Sequence, residues 1–174
     1  MEQIRYTKRR CEDHERIASF LAEKRVGTVS MCDQEGKPYA CPVNYVYHNG
    51  KIYIHGMGSG KKNNILRENP SVCFTVFDEF GTVTDAAPCK CDTAYLSVVL
   101  FGQAVLVEDL DEKTQALAQF LEKFTPRFFE KPLTMEFVKK YRSGFDNQTV
   151  AVYGISPDAI TAKENPVDSE NMFR

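Results

Sequence analysis

The strongest constraint on the fold is an alternating stretch that runs directly into a tight turn. Between Pro38 and His48, large or apolar side chains occupy every second position. They are Tyr39, Cys41, Val43, Tyr45 and Tyr47. Because successive side chains of a β-strand point to opposite faces, this alternation predicts a strand with one buried face. Asn49-Gly50 follows and is a strong hairpin signal, so an antiparallel partner strand is predicted over Lys51–His55.

Similar patterns divide the rest of the chain into strands and helices. Further strands are predicted at 26–32, 71–77, 93–107, 147–155 and 159–163, and helices at 13–25, 63–69, 111–124 and 134–141. Segment 93–107 is apolar on both faces, which favours a central strand. Residues 79–92 are predicted to be an irregular connection. Antiparallel strands with helices between them predict a mainly β fold, a closed or partly open barrel with peripheral helices.

Length and charge limit the classes of protein that need to be considered. The 174 residues are predicted to form one domain, 1–174, with a polar tail from about residue 164. A net charge of −2 gives no electrostatic reason to expect nucleic acid or a membrane surface as partner. The longest uncharged run, 93–107, is shorter than the ~20 residues of a membrane-spanning helix. Since the first ten residues are polar and basic rather than signal-like, we expect a cytoplasmic protein.

The six cysteines do not form a recognisable metal motif. No C-x-x-C pair is present, which argues against a zinc ribbon or a thioredoxin-type site, and no metal is expected. Cys32, Cys41 and Cys73 lie in apolar strand patterns, where a free thiol behaves as a small hydrophobic group. Cys89-Lys90-Cys91 follows a proline in a predicted loop and leaves a thiol-based or metal function open as an alternative.

The stretch from His55 to Asn64 combines a strand end, three glycines, two lysines and a helix start. Glycines at 56, 58 and 60 allow a tight turn, and Lys61-Lys62 stands at the opening of a predicted helix. The free N–H groups and the dipole of a helix N-terminus favour an anion, so these residues predict either a phosphate site or a solvated basic loop. Lys62 replaces the Ser or Thr of a nucleotide P-loop, and the glycine spacing differs from the dinucleotide fingerprint. A terminal phosphate bound without metal is the remaining phosphate hypothesis.

Pro42 interrupts the alternating strand. Because proline has no N–H, the strand is predicted to be an edge, bulged or open at this position. Asn44 falls on the face opposite the apolar series and offers a donor and an acceptor. The hairpin would bring this segment beside the phosphate turn, so both could flank one cleft.

Together these residues resemble the flavin-binding split-barrel superfamily that contains pyridoxamine 5′-phosphate oxidase. The resemblance rests on Pro42-Val43-Asn44-Tyr45, Ile52-Tyr53-Ile54-His55-Gly56, Gly60-Lys61-Lys62 and Asn69-Pro70. Tyr95-x-Ser97-Val98 with Gly102-Gln103-Ala104, and Ile160-Thr161-Ala162-Lys163, resemble the 5-nitroimidazole-resistance branch of that superfamily. The resemblance covers residues from about 9 to 163 and implies an antiparallel split β-barrel.

The resemblance also implies an FMN-binding homodimer with the cofactor between its subunits. Lys61 and Lys62 match the cations that hold the FMN phosphate, and His55 and Gly56 match the adjacent strand end. Four further residues match the strand that passes the flavin ring, and Ser97 lies near a cofactor contact on the long strand. The four are Pro42, Val43, Asn44 and Tyr45.

The resemblance implies an oxidoreductase that reduces nitro compounds or other small electrophiles with electrons from NAD(P)H. A flavin or haem carrier without turnover is the alternative. The chain contains no Trp, unlike the substrate-closing segment of the B6 oxidases, so oxidation of vitamin B6 is not expected. His55 is the candidate for a proton donor, or else a simple hydrogen-bonding group.

Overall fold

The computed structural model describes residues 4–173 as a six-stranded antiparallel β-barrel with four α-helices around it. The strands are β1 (Val26–Cys32), β2 (Pro38–His48), β3 (Lys51–Gly56), β4 (Ser71–Val83), β5 (Asp92–Leu106) and β6 (Ala151–Asn165). The helices are α1 (His14–Glu23), α2 (Lys61–Glu68), α3 (Leu110–Phe124) and α4 (Met135–Lys140). Short 3-10 turns span Thr7–Arg9 and Pro88–Lys90. The ends of the predicted domain, residues 1–3 and 174, lie outside the described residues.

The barrel closes in the strand order β1-β2-β3-β6-β5-β4, with β4 returning to pair with β1. Alternate side chains of every strand point inward and form the main core. Its largest fully buried members include Tyr45, Phe74, Ile52, Ile54, Leu100, Ile155, Val29 and Val98. Burying each such side chain stabilises the fold by roughly 1.5–3 kcal/mol before conformational entropy is counted. The predicted mainly β barrel with peripheral helices is confirmed.

The hairpin between β2 and β3 forms where the sequence predicts it. Asn49 and Gly50 both adopt positive φ, 50° and 76°, as a tight hairpin turn requires. Tyr45–His48 pairs with Lys51–Ile54 across that turn. The apolar series of β2 faces the core, and Asn44 on the opposite face is exposed.

Strand β5 pairs with β4 on one side and β6 on the other, so its predicted central position is confirmed. Two neighbouring predictions were wrong. The connection 79–92 is not irregular throughout, because β4 continues to Val83 after a register shift between Glu79 and Gly81. The strands predicted at 147–155 and 159–163 are the single strand β6, which begins at Ala151. A register shift opposite Phe101 and Gly102 accommodates Pro157 without ending the strand.

The helices begin at polar caps, with one exception. Asp13, Asp109 and Thr134 accept a hydrogen bond from a backbone N–H in the first turns of α1, α3 and α4. Helix α2 begins at Lys61, two residues before the predicted start, and its cap, Gly60, offers no side chain. The first N–H groups of α2 therefore receive no side-chain cap.

The residues after β6 return to the barrel. Thr84 N donates to Asn171 O, and Phe173 N donates to Thr82 O, so the predicted polar tail is tied to the far end of β4. None of the helices within residues 4–173 has the length and apolarity needed to cross a membrane. All six cysteines are free, and Cys89 and Cys91 are exposed. In the described part of the chain no three His, Cys, Asp or Glu side chains are grouped to hold a metal.

Candidate functional site

The barrel splits where β2 and β3 separate. Their pairing ends at Tyr45 and Ile54. Beyond this point β2 pairs only with β1, whereas His55 and Gly56 pair with β6. Within the described residues, no strand covers the other edge of β2 over 38–44, so backbone groups there are free for a ligand. Of the alternatives for Pro42, an open strand edge is the one observed.

Two ammonium groups flank this open edge. The Lys62 Nζ lies against the end of β3, since a methyl group added at Gly56 would be 3.6 Å from it. The Lys61 Nζ stands 4.6 Å from the centre of the Tyr39 ring, on the exposed part of β2. Among residues 4–173 neither lysine forms an ion pair. Both lysines also begin the uncapped helix α2, so two cations and free N–H groups share one place.

Burial changes the protonation of this site. The pKa of Lys62 is lowered, mainly by burial and partly offset by the nearby Cys41 thiol. The pKa of His55 is lowered from 6.5, first by the surrounding protein and then by the Lys62 charge. His55 is consequently neutral at pH 7. An anion bound here would favour the charged form of Lys62.

Buried and distant side chains brace the glycine loop that precedes α2. Asn63 Nδ2 donates to Met57 O at 2.8 Å and to Ser59 O at 2.6 Å, and Arg67 donates to Gly58 O. Ser59 Oγ donates to Asp146 Oδ2 at 3.1 Å. These contacts hold the loop in one shape before any ligand arrives. The sequence analysis did not predict that Asn63, Arg67 and Asp146 hold this loop. The position of Asn63 beside the lysines is a local signal for such a role, whereas no local signal marks Asp146.

An apolar cleft adjoins the split, between β2, β3 and the helices α3 and α4. Its volume is about 390 Å³, and Asn44 and His55 are among the residues that line it. The His55 ring meets the Phe120 ring edge-on, with centroids 4.3 Å apart. His55 therefore links the strand end beside the glycine loop to the cleft.

Comparison with known families matches residues 13–164 to the family described as Pyridoxamine 5′-phosphate oxidase. The chain belongs to this family. A comparison with curated proteins returned no match.

Solved structures agree with this membership. A candidate 5-nitroimidazole antibiotic resistance protein from Bacteroides thetaiotaomicron is 27% identical over 88% of this chain and 85% of its own, with a TM-score of 0.68. A flavocytochrome from Azotobacter vinelandii is 22% identical over 97% of this chain and 76% of its own, with a TM-score of 0.74. An FAD- and haem-binding protein from Mycobacterium smegmatis is 19% identical over 93% of this chain and 77% of its own, with a TM-score of 0.72. The last two show a shared fold.

In this member of the pyridoxamine 5′-phosphate oxidase family, most of the predicted site residues lie around the split. They are Pro42, Asn44, His55, Gly56, Lys61 and Lys62. Val43 points to the core, so only its backbone borders the open edge. Cys41, predicted as a member of the apolar series of β2 and not as a cofactor contact, lies near Lys62.

Two predicted residues lie elsewhere. Tyr45 is fully buried, and its hydroxyl donates to Leu21 O at 2.8 Å. Ser97 lies on β5, three strands away from β2 around the barrel and between Phe77 and Lys163. Its neighbours Leu96 and Val98 point into the core, so Ser97 faces outward. Within one chain, Ser97 cannot join the group around the split.

Proposed function

We propose that this chain is an FMN-binding oxidoreductase that reduces nitro compounds or other small electrophiles with electrons from NAD(P)H. The observation that carries the proposal is the pair Lys61 and Lys62 at the uncapped start of α2, beside the open edge of β2. Charge-assisted hydrogen bonds and helix N–H groups suit a terminal phosphate.

The residues fit the rest of the cofactor in outline. The free backbone edge around Pro42 and Asn44 can take hydrogen bonds from the polar groups of a flavin ring. Gly56 lies beside Lys62, where an added methyl group would be in ordinary van der Waals contact with the ammonium group at 3.6 Å. A bound flavin would supply the redox chemistry, while the protein binds, orients and shields it. Since His55 is neutral at pH 7, its proposed role is to hydrogen-bond rather than to donate a proton.

The proposed working unit is a cytoplasmic homodimer with FMN between the subunits. Exposed apolar side chains on the outer face of β4 and β5 support it: Phe77, Phe101 and Val105 are 56%, 39% and 60% exposed. Ser97 lies on this outer face, so it could reach a cofactor only across a subunit boundary. Six free thiols agree with a reducing compartment.

The nitro substrate rests on similarity to the Bacteroides protein, whose description names 5-nitroimidazole resistance. A second candidate is a flavin or haem carrier without turnover, which the named haem-binding neighbour favours. An absorption spectrum of the purified protein separates flavin bands from a haem Soret band. FMN-loaded protein that never oxidises NAD(P)H with any nitro acceptor would leave only the carrier.

The phosphate contact can be tested directly by titrating FMN and riboflavin into the apoprotein. The double variant Lys61→Ala/Lys62→Ala should weaken FMN binding by about two to four orders of magnitude, because each of the two charge-assisted bonds contributes roughly 1.5–3 kcal/mol. Riboflavin, which lacks the phosphate, should bind both proteins alike.

The matched control for that titration is Lys139→Ala/Lys140→Ala. It removes two adjacent lysines that are exposed on α4, with the same change in net charge. FMN affinity should be unchanged in this control. Unaltered FMN affinity in the Lys61 and Lys62 variant would show that the phosphate binds elsewhere.

A further inference from the structure

The cleft between α3 and α4 differs in chemical character from the glycine loop and its two lysines. Asp, Glu, Lys and Arg are absent from its lining within residues 4–173. Its walls are apolar and rich in aromatic rings, including Leu117, Phe120, Phe124, Phe137 and Tyr141. A cavity of about 390 Å³ with this lining is of the size that holds small organic ligands.

Aromatic rings line the cleft from both helices. Phe120 and Phe124 stack with centroids 5.8 Å apart and planes inclined by 17°, and Phe137 and Tyr141 are similarly stacked at 6.1 Å and 25°. Arg25 packs on the Phe124 ring but does not line the cleft. Paired aromatic walls favour contact with a planar ring over a branched or flexible chain.

The cleft has few polar groups. Asn44 and His55 line it from β2 and β3, where His55 is edge-on to Phe120, and Thr125 and Tyr141 line it from the ends of α3 and α4. Asn44 can donate and accept, and a neutral imidazole offers one donor and one acceptor. A ligand with an acceptor oxygen at one end of a flat apolar body would satisfy these groups and bury no charge.

We propose that this cleft binds the electron-accepting substrate, an uncharged flat aromatic compound whose oxygen atoms meet Asn44 and His55. As a substrate site it rests on the proposed flavin function, because His55 and Asn44 also border the open edge of β2. For a nitroarene the balanced step is ArNO₂ + NAD(P)H + H⁺ → ArNO + NAD(P)⁺ + H₂O, in which one N–O bond breaks and its oxygen leaves as water. Anionic compounds, phosphorylated pyridines included, are excluded from the cleft by desolvation.

The experiment compares two nitroarenes of similar size, the neutral methyl 4-nitrobenzoate and the anionic 4-nitrobenzoate, by ligand-observed NMR titration with and without FMN. The neutral ester should bind at least about tenfold more tightly, since a carboxylate would lose its hydration in the cleft. Phe137→Ala should weaken ester binding by about three- to tenfold through loss of aromatic contact. The Phe137 side chain is 59% exposed, so the variant should fold.

The matched control is Phe145→Ala, which removes a 92% exposed ring that does not line the cleft. It should leave ester affinity unchanged. Equal binding of ester and carboxylate, or equal losses in the Phe137 and Phe145 variants, would overturn the proposal. Displacement of the ester by FMN would also overturn it, because the flavin ring would then occupy the cleft. If the ester binds through Phe137 but the protein never takes up FMN, the ligand class of the cleft stands and the flavin function fails.

Discussion

At the scale of single residues, the proposed site depends on one lysine, Lys62, that is held partly out of water. The Lys62 ammonium lies against Gly56 and near Cys41, and burial lowers its pKa. A desolvated cation without an ion pair is costly in the empty protein and is stabilised by a bound anion. The same residue therefore couples ligand binding to pH.

This coupling predicts how FMN affinity changes with pH. In the proposed site the phosphate binds the protonated form of Lys62, so FMN affinity should be highest below the lowered lysine pKa and should fall as the pH rises through it. The test is an FMN titration from about pH 7, where the phosphate is already dianionic, to about pH 10. The Lys62→Ala variant should bind FMN more weakly, and its affinity should depend less on pH. The Lys61→Ala variant should keep the wild-type dependence of affinity on pH. A flat wild-type profile would contradict the assignment.

A second lysine gives a prediction about stability. Burial, followed by the charge of Arg25, lowers the pKa of Lys123 from 10.5 to about 8. Its Nζ lies 4.4 Å from the centre of the Tyr45 ring. Protonating Lys123 costs more free energy in the folded than in the unfolded chain. This group therefore lowers the free energy of unfolding by its full amount below pH 8, and the loss disappears as the pH rises to 10.5.

Urea unfolding of wild type and Lys123→Met over this pH range checks the prediction. The free energy of unfolding of wild type, relative to the variant, should rise by roughly 1–2 kcal/mol between pH 8 and 10.5, allowing for residual solvent screening. The control is Lys139→Met, at an exposed position, and its free energy of unfolding should change with pH as that of wild type does. If Lys123→Met also followed the wild-type pH dependence, the Lys123 amine would have an ordinary pKa.

At the scale of secondary-structure elements, a register shift lets β6 run past a proline as one strand. Gly102 on β5 faces Pro157, and a methyl group added at Gly102 would stand 2.1 Å from Ser156 O. That atom belongs to the backbone, so it cannot rotate away as a flexible side chain could. The close approach of the two strands requires glycine at this position.

Gly102→Ala should therefore destabilise the protein by about 2 kcal/mol or more, as overpacking and strain against a backbone typically do. Thermal or urea unfolding measures the loss. Gly144→Ala is the control, because an added methyl group there has no atom within 4 Å. Similar stability in the two variants would mean that β5 and β6 can separate locally at no cost.

At the scale of the whole molecule, the barrel presents apolar side chains outward on the wall opposite β2. Phe101 and Val105 lie on the outer face of β5, near Ser97. A face of this kind is typical of an interface between proteins. The proposed homodimer would cover it and would place Ser97 of one subunit where a cofactor of the other could meet it.

Light scattering should accordingly report a dimer, and Val105→Asp should convert it to a monomer, because a buried unpaired carboxylate is strongly unfavourable. The monomer should also bind FMN more weakly if the cofactor lies between subunits. Phe145→Asp, at a 92% exposed ring away from β5, is the control and should stay dimeric. A Val105→Asp dimer with normal FMN affinity would place the interface elsewhere.

Local pattern alone predicted much of this protein, for physical reasons. The alternation in β2 marks the buried face because side chains of a strand alternate, and Asn49-Gly50 forms the hairpin because both residues accept positive φ. Lys61 and Lys62 were assigned to a helix start beside a glycine turn, and α2 begins there. The caps of α1, α3 and α4 are likewise local, since each involves residues only three positions apart.

Only the tertiary structure decided how these pieces meet. The closure of β1 on β4, the divergence of β2 and β3 after Tyr45, and the bond from Ser59 to Asp146 join residues far apart in the chain. The continuity of β6 depends on the register of β5 opposite Pro157, and the place of Ser97 depends on strand order around the barrel. The sequence by itself thus determined most of the strands, the hairpin turn and the paired cations, because those follow from the preferences of neighbouring residues. The open edge beside the cations and the apolar cleft next to them arise from long-range packing, which local preference does not specify.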